Sequence, residues 1–516
     1  MTTHRTSPSR PELLALGLIV VVAAYVRFYR IDGPSLWMDE IGSIEMATGR
    51  GLAHNHLQAG IIEYDQIPLT QLTGALPWWK IWRNVSDDVY PPVFYILLRW
   101  WIELLGSGAA AVRSLSALAS IGAIAVLFDV CRLLRGPRVG LLAAAIMATS
   151  LAQINFAQDA RPYPLLILLG MGCCDAVLHI QTSGASWRRC AVLAFLLTAM
   201  ELTHYFALGA IVALAAYAAL RLRGLDRRRT LAAFLIAGAF TAAVWGPTAL
   251  RQLHQIPAGQ PRFLFAAGPH HVRSIFLHII GLPAELIFDS TQAAAMPAAA
   301  LILLALIVLV VPVIRLRSRP DLLLWILLLA GTTGMLAGSD LIRGSIFLEY
   351  LRYAILAGPA VYALIAAFDW PPRPLLRDAL AWCLLVLLAM LVCVRLHDPV
   401  ASKEDWRQLA IDLNANAAPD DLLVFYGGDP WISPGTWYMC FSYYMPQSHR
   451  PWLILHQPAD ARLLHLLASR HSLWLIGKYP QQDGPALLAG WQPQSILQNP
   501  TAGAICRMVR VIPSHP

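Results

Sequence analysis

Charge is scarce in this 516-residue chain. Asp, Glu, Lys and Arg make up 14% of it, against about 25% in soluble proteins. An ordinary soluble domain is thereby excluded, because 57% of the residues are hydrophobic and they come in blocks. Leu13 to Val26, Val139 to Ser150, Leu231 to Val244, Ala293 to Ile314 and Leu376 to Val394 run nearly free of charge. Apolar runs of roughly 17–25 residues read as membrane spans. Zinc-type cysteine spacing is also lacking: the eight cysteines include no C-x-x-C pair. Cys131, Cys173, Cys174, Cys190, Cys383 and Cys393 lie in or beside apolar blocks and read as small apolar residues. No repeat with a solenoid period is present, and no low-complexity tract. No small-residue cleavage site follows the first block, and Arg27 and Arg30 come directly after it. It therefore reads as an uncleaved first span, not a signal peptide.

What charge there is falls in a pattern. The formal net charge is +8, which in a soluble protein would point to nucleic acid. Here the arginines sit in short loops between apolar blocks and set topology instead. Pro92 to Gly106 is short, charged at Arg99 and Glu103, and rich in Trp at 100 and 101. Such a segment lies in the membrane interface and does not cross it. With it set aside, every second connection is arginine-rich: Arg5/Arg10, Arg132/Arg135/Arg138, Arg188/Arg189, Arg221 to Arg229, Arg315/Arg317/Arg319 and Arg373/Arg377. Cys190 to Leu220 is too long for one pass and reads as a tight hairpin turning near Glu201 to Tyr205. The expected fold is a polytopic α-helical membrane protein of about eleven transmembrane helices, amino terminus inside and carboxyl terminus outside. Residues 1–396 form the membrane domain, with a long first outer loop over 32–111 that carries interfacial helices. A second outer segment, Thr248 to Thr291, holds an amphipathic stretch, His270 to Phe288. Residues 397–516 read as a small extracytoplasmic α/β domain, with β-like runs at Leu422–Tyr426, Leu453–His456, Leu473–Ile476 and Ile505–Val511.

Polar residues not explained by topology collect at one end of these spans. Asp39 and Glu40 follow the first span, and Arg113 opens the second. Asp159, Arg161 and Tyr163 join the third to the fourth; Glu201, His204 and Tyr205 sit at the hairpin tip; Arg343, Glu349, Arg352 and Tyr353 lie between the ninth and tenth. Charges at membrane depth are costly and mark function. Arginine and tyrosine also serve as interfacial anchors, but adjacent carboxylates do not. The set suits sugar transfer. A carboxylate takes the proton of an attacking hydroxyl, and arginines hold the phosphate that leaves. A transporter or flippase of lipid-linked sugars is the alternative; it would need polar residues along a path through the membrane. An assembly protein without chemistry would not need Asp39 and Glu40.

These residues stand in familiar company. Arg30-Ile31-Asp32 through Ser35-Leu36-Trp37-Met38-Asp39-Glu40 resembles the first-loop signature of C-type glycosyltransferases. That superfamily includes protein O-mannosyltransferases, aminoarabinose transferases of lipid A, and bacterial transferases that decorate lipopolysaccharide cores. Asp88-Val89-Tyr90-Pro91-Pro92-Val93-Phe94-Tyr95 resembles its D-x-H-P-P-L-Y-Y element, with Tyr90 where the family usually has His. Ala111 to Ala117, Ala157-Gln158-Asp159-Ala160-Arg161-Pro162-Tyr163, Thr203-His204-Tyr205-Phe206 and Leu351-Arg352-Tyr353 with Pro359 are further matches in the same order. The resemblance is strong from about residue 27 to 165 and patchy to about 360. It implies an inner-membrane enzyme, with a polyprenyl-phosphate sugar donor and a glycan, lipid or protein acceptor on the periplasmic side. It implies Asp39 as catalytic base and Glu40 as its acceptor-side partner. Arg113, Arg161 and Arg352 would contact donor phosphate, with Asp159, Tyr163, His204 and Tyr353 lining the substrate site. No cofactor is expected: His54 and His56 lack a nearby third ligand. Trp78, Trp79 and Trp82 read as interfacial anchors. Cys440 and Cys506 are the cysteines of the carboxyl-terminal domain, and the sequence leaves open whether they are bonded or are separate buried thiols.

Overall fold

A computed structural model describes residues 8–85, 90–259, 271–369, 373–397, 404–427, 432–478, 487–497 and 506–513. Asp88 and Val89 of the Asp-x-Tyr-Pro-Pro element, and His270, lie outside the described residues.

Among the described residues, eight helices are long and apolar enough to cross a membrane: Arg10–Phe28, Ala109–Arg135, Tyr163–Ser183, Gly224–Leu253, His271–Phe288, Ala298–Arg315, Pro320–Arg343 and Pro374–His397. Pro137–Thr149 and Leu151–Ala157 make a ninth if the pair, bent by 61°, counts as one span. The expectation of eleven differs in two ways. The hairpin arms Trp187–Glu201 and Ala207–Arg221 are 15 residues each, and Leu351–Ala366 is likewise short, below the roughly 20 residues a span needs. His271–Phe288, expected to stay outside, has the length and composition of a span. Alternation of apolar blocks shows where helices lie, but their ends depend on packing. The hairpin does turn between Glu201 and Ala207. Its second arm crosses Leu323–Arg343 at Gly209 and Gly331, where an added Cβ would stand 2.4 Å from the facing carbonyl oxygen. Small residues permit such backbone approach in membranes.

The bend has an identifiable cause. Arg27, fully buried at the end of the first span, donates to Ser120 Oγ (2.9 Å) and to the carbonyls of Met147 (3.1 Å) and Ala148 (3.0 Å). Those carbonyls are freed where Pro137–Thr149 ends, and a cation at a helix C-terminus is favoured by the dipole. Ser150 then caps the next helix by accepting from Gln153 N–H. A charge that would be costly in lipid is thus satisfied inside the bundle, and the broken helix delivers residues 158–163 to the mouth of the spans.

Val93–Leu105 is a 13-residue helix, about 20 Å long, too short to cross. It buries Phe94, Tyr95, Leu98 and Ile102 under Met38–Ala47 and ties Arg99 to Glu103 (2.6 Å). This is the segment read from the sequence as interfacial, and it is a short helix.

The carboxyl-terminal region forms a sheet of β2 (Leu422–Tyr426), β3 (Trp452–Leu455), β4 (Leu473–Gly477), β5 (Trp491–Leu497) and β6 (Arg507–Pro513), joined by β1 (Ile62–Glu63) from the first loop. The order is β1-β3-β2-β4-β6-β5, with β2 parallel to β3 and β4 and the other pairs antiparallel. The central strands are buried throughout, as parallel strands covered on both faces are. Helices Trp406–Asn416 and Pro434–Tyr444 cover one face and share a core with Met38–Ala47 and Val93–Leu105. Polar ties accompany that packing: Leu36 N–H and Ser35 Oγ both reach Tyr444 Oη (2.6 and 2.9 Å), and Trp452 Nε1 donates to Asp65 O (3.0 Å). First loop and carboxyl-terminal region therefore enclose one space above the spans. Cys440 and Cys506 are free thiols buried in this shared core. Burial raises both thiols, and Cys506 adds to the rise at Cys440.

Candidate active site

Helix Met38–Ala47 starts at the mouth of the first span with two carboxylates in its first turn, where the dipole favours them. Successive side chains on a helix diverge by about 100°, and here that divergence separates two environments. Glu40 turns inward and is fully buried. Arg113 grips it with two parallel bonds, Nε to Oε1 and Nη2 to Oε2, both 2.7 Å. Glu40 also accepts from Ala160 N–H (2.9 Å) and Trp37 N–H (3.3 Å). Arg113 spends its remaining capacity on the carbonyls of Ile31 (2.8 Å), Pro34 (2.9 Å) and Ser35 (2.9 Å) and is 1% exposed. The expectation that Arg113 meets donor phosphate needs correction: every one of its nitrogens already has a protein acceptor. Glu40 and Arg113 clamp the first loop to the second span and to the 159–161 turn.

Asp39 faces the other way, with its side chain 28% exposed. Its Oδ2 accepts from Arg352 Nη1 at 3.1 Å and lies 3.8 Å from Arg161 Nη2. Arg161 Nη1 is anchored on Asp39 O and Ser43 Oγ, both 3.1 Å, while Ser43 Oγ donates to Asp39 O (2.8 Å). Two guanidiniums thus meet one carboxylate, leaving a positive surplus. Burial, the largest single influence, lowers the Arg161 guanidinium, but Asp39 together with Tyr163, Tyr90 and Tyr95 outweighs it and the group ends well above its ordinary value. Arg161 Nε has no hydrogen-bond partner among the described residues. Arg352 stacks over Trp37 (5.3 Å) and Tyr350 (5.5 Å), which fixes the plane of its fork.

Behind this triad is an aromatic floor. His204 packs on Tyr90 (5.2 Å), Tyr163 (5.8 Å), Phe206 (5.2 Å) and, more distantly, Tyr353 (6.4 Å). Tyr90, at the position where the family motif has His, sets its ring 5.0 Å from the Arg161 guanidinium. Burial, reinforced by Tyr163, raises the Tyr90 phenol well above its ordinary value, so it stays neutral. Burial and the nearby Arg161 lower His204 to about 3, so it too is neutral near pH 7. Its Nδ1 accepts from Phe206 N–H (3.2 Å), which puts the proton on Nε2. That Nε2 and the Tyr163 hydroxyl are buried without partners among the described residues. Asp159 is 5% exposed, and its carbonyl accepts from Arg161 N–H (2.8 Å).

Of this triad Arg352 lines a cavity of about 750 Å³, whose wall also includes Trp37, Asp159, Tyr163, Tyr350 and Glu404. Glu404, from the carboxyl-terminal region, was not singled out from sequence. It belongs to no motif, and only the fold brings it to Asp39. Trp78 and Trp82 of the first loop lie elsewhere: Trp78 packs on Trp100 (5.4 Å), and Trp82 on Trp245 (5.4 Å).

His54 of the first loop forms a buried pair with Glu45 (Nδ1 to Oε2, 2.5 Å). Among the described residues, Asp129, Asp175 and His179 have ligand atoms within 4.8 Å of one another. Asp129 stands sixteen residues beyond Arg113 on one helix, roughly 24 Å from the site at 1.5 Å per residue. Arg132 pairs with Asp129 there (2.5 Å), so the group reads as an ion-pair cluster.

A family model described as dolichyl-phosphate-mannose-protein mannosyltransferase matches residues 89–247. A sequence search of curated proteins returns no match. Among solved structures, ArnT from Cupriavidus metallidurans bound to undecaprenyl phosphate superposes with a TM-score of 0.52 at 14% identity, covering 97% of this chain and 98% of that one. The apo form of that protein gives 0.52 at 14%, with 96% and 98% covered. The Archaeoglobus fulgidus oligosaccharyltransferase AglB, in complex with an inhibitory peptide and a dolichol-phosphate, gives 0.47 at 11%, with 93% and 71% covered. This chain thus shares its fold with ArnT over nearly the whole length, and the segment that matches the mannosyltransferase family model carries Arg113, Arg161 and His204.

Proposed function

We propose that this membrane glycosyltransferase moves a sugar from a polyprenyl-phosphate carrier to an acceptor hydroxyl at the extracytoplasmic mouth of its spans, with Asp39 as general base. The observation that carries the reading is Asp39 set between Arg161 and Arg352 beside a cavity of about 750 Å³. In the reaction the acceptor oxygen attacks the anomeric carbon, the bond from that carbon to the phosphate oxygen breaks, and the acceptor proton passes to Asp39. The carrier changes from a phosphodiester with one negative charge to a monoester with two. The surplus guanidinium charge beside Asp39 is placed to neutralise that gain. Undecaprenyl phosphate is the carrier of choice, since the ArnT structure is bound to it. The acceptor belongs to the cell envelope: lipid A, core oligosaccharide, another envelope glycan, or a protein hydroxyl.

The test uses purified protein in detergent, a panel of undecaprenyl-phosphate-linked hexoses and pentoses carrying radiolabel, and an envelope extract as acceptor. Label should appear in the extract and undecaprenyl phosphate should be released. If no donor of the panel gives label in the extract, the reading is wrong.

Two expected outcomes belong to this reading. Arg161→Ala and Arg352→Ala should each raise the half-saturating donor concentration at least about tenfold, with much less effect on the acceptor. Lys at either position should rescue in part, because it restores charge without the two-pronged geometry. Unchanged donor saturation in all of these variants would make the arginines structural. The alternation of arginine-rich loops predicts a carboxyl terminus outside the cytoplasm of a bacterial inner membrane. Alkaline phosphatase fused after Pro516 should therefore be active, and a reporter that works only in the cytoplasm should be dark. The reverse pattern would mean that the number of crossings is even.

A further inference from the structure

Tyr90 stands where the family motif has His, and its contacts give it a role of its own. It precedes Pro91 and Pro92, both buried. A residue before proline is kept out of the helical region, and each proline fixes its own φ, so the ring leaves a stiff stretch of backbone. Helix Val93–Leu105 begins directly after it, and Val93 N–H donates to Leu202 O (3.0 Å) at the hairpin tip. His204 of the same tip meets the Tyr90 ring in an edge arrangement at 5.2 Å. The ring is therefore held by its own backbone and by the hairpin tip.

The charge it meets is Arg161. The guanidinium carbon lies 5.0 Å from the Tyr90 ring centroid and 6.0 Å from that of Tyr163. The first distance is inside the range of a cation–ring contact, and the second is at its limit. Arg161 is 5% exposed, and such a contact strengthens as water is removed. The other anchors of this guanidinium act at one nitrogen: Nη1 donates to Asp39 O and Ser43 Oγ, both 3.1 Å. Nη2 lies 3.8 Å from Asp39 Oδ2, too far for a hydrogen bond, and Nε has no partner among the described residues. Bonds at a single nitrogen leave the tilt of the guanidinium weakly defined; a ring against its carbon sets the plane. We propose that Tyr90 is a positioning residue: its ring fixes the guanidinium plane of Arg161 and keeps that cation in the pose that donor binding requires. Tyr in place of His suits this task. An imidazole can take up a proton and would then repel the guanidinium, whereas a phenol never becomes a cation. Tyr90 need touch neither donor nor acceptor; it acts through Arg161.

The inference rests on the transfer reading above, and the two fail in different places: the reading in wild type, the inference in the variants. Half-saturating donor and acceptor concentrations and melting temperature are measured for wild type, Tyr90→Leu, Tyr90→Phe, Arg161→Ala and the double variant Tyr90→Leu with Arg161→Ala. The donor is the undecaprenyl-phosphate sugar that wild type transfers to envelope extract. Tyr90→Leu should raise the half-saturating donor concentration about threefold to thirtyfold, the range of a cation–ring contact as it is desolvated, with the acceptor value within about twofold of wild type. Tyr90→Phe keeps the ring and should recover most of the loss. In the Arg161→Ala background, Tyr90→Leu should add less than about twofold, because the group it positions is gone. Losses that multiply in the double variant would mean that Tyr90 acts apart from Arg161, and they overturn the inference. So does unchanged donor saturation in Tyr90→Leu, or a Tyr90→Phe as impaired as Tyr90→Leu. A purely structural role would move donor, acceptor and melting temperature together in either background, and that result also overturns it. Wild-type protein that labels no acceptor defeats the transfer reading itself, and this proposal with it.

Discussion

Asp39→Asn is expected to lower turnover by at least about 100-fold, the low end of what a positioned general base contributes, while leaving the protein folded and able to bind its carrier. The side chain is part-exposed and pairs with Arg352, which lines the cavity, so nothing in the core depends on its charge. Its neighbours make a second, opposite-signed effect. Arg352 Nη1 and Arg161 Nη2 converge on one oxygen of Asp39, at 3.1 and 3.8 Å. With a neutral amide in place of the carboxylate, two guanidiniums stand unbalanced, and a phosphate is the anion of matching shape. Undecaprenyl phosphate should therefore bind Asp39→Asn at least as tightly as wild type, and more tightly at low salt, where charge pairs are least screened. Binding by melting-temperature shift and turnover by label transfer read the two effects separately. Turnover within a few fold of wild type removes Asp39 from the base role. Turnover and binding lost together would mean that the carboxylate only holds the arginines in place.

That arrangement was partly legible in the sequence, and the division has physical reasons. Polar residues stranded at one end of apolar blocks are conspicuous because membrane burial of charge is costly. This is why Asp39, Arg161, His204 and Arg352 stand out although Arg352 is 313 residues from Asp39. What each does is not set by its type. Asp39 and Glu40 are adjacent acids, and only the turn of the helix sends one to the cavity and the other into the core. Arg113 and Arg161 both open or precede spans in motif context, yet Arg113 is consumed by carbonyls of the 31–35 turn. Glu404 had no signal at all, being an ordinary acid before an amphipathic helix. In the sheet, the buried strands β2 and β4 could be read from their apolar runs. Strand β5 could not: Pro493 and polar neighbours mask it, and it is an edge strand with a register shift at Pro493/Ser495. Strand β1 is two residues long and is defined only by its partner β3.

The largest loss of stability is expected at the Glu40–Arg113 clamp. Glu40 is fully buried and Arg113 nearly so, and their two parallel bonds are the best-formed charge pair in the region. Removing one partner of such a pair strands the other charge without water and costs about 3–5 kcal/mol. Arg113→Met should be the worse of the two single changes, because it strands Glu40 and also leaves the carbonyls of Ile31, Pro34 and Ser35 without their donor. Glu40→Gln should cost less, since an amide can still accept from Ala160 N–H and from one Arg113 nitrogen. The pair Arg113→Met with Glu40→Met should be more stable than Arg113→Met alone, because no buried charge is then left unpaired. Melting of the four proteins in one detergent measures the order. The same series decides between clamp and catalyst. If Glu40 touches the acceptor, Glu40→Gln will lose activity with its melting temperature unchanged. As a clamp, it will lose stability first, and activity only to the extent that the first turn bearing Asp39 shifts.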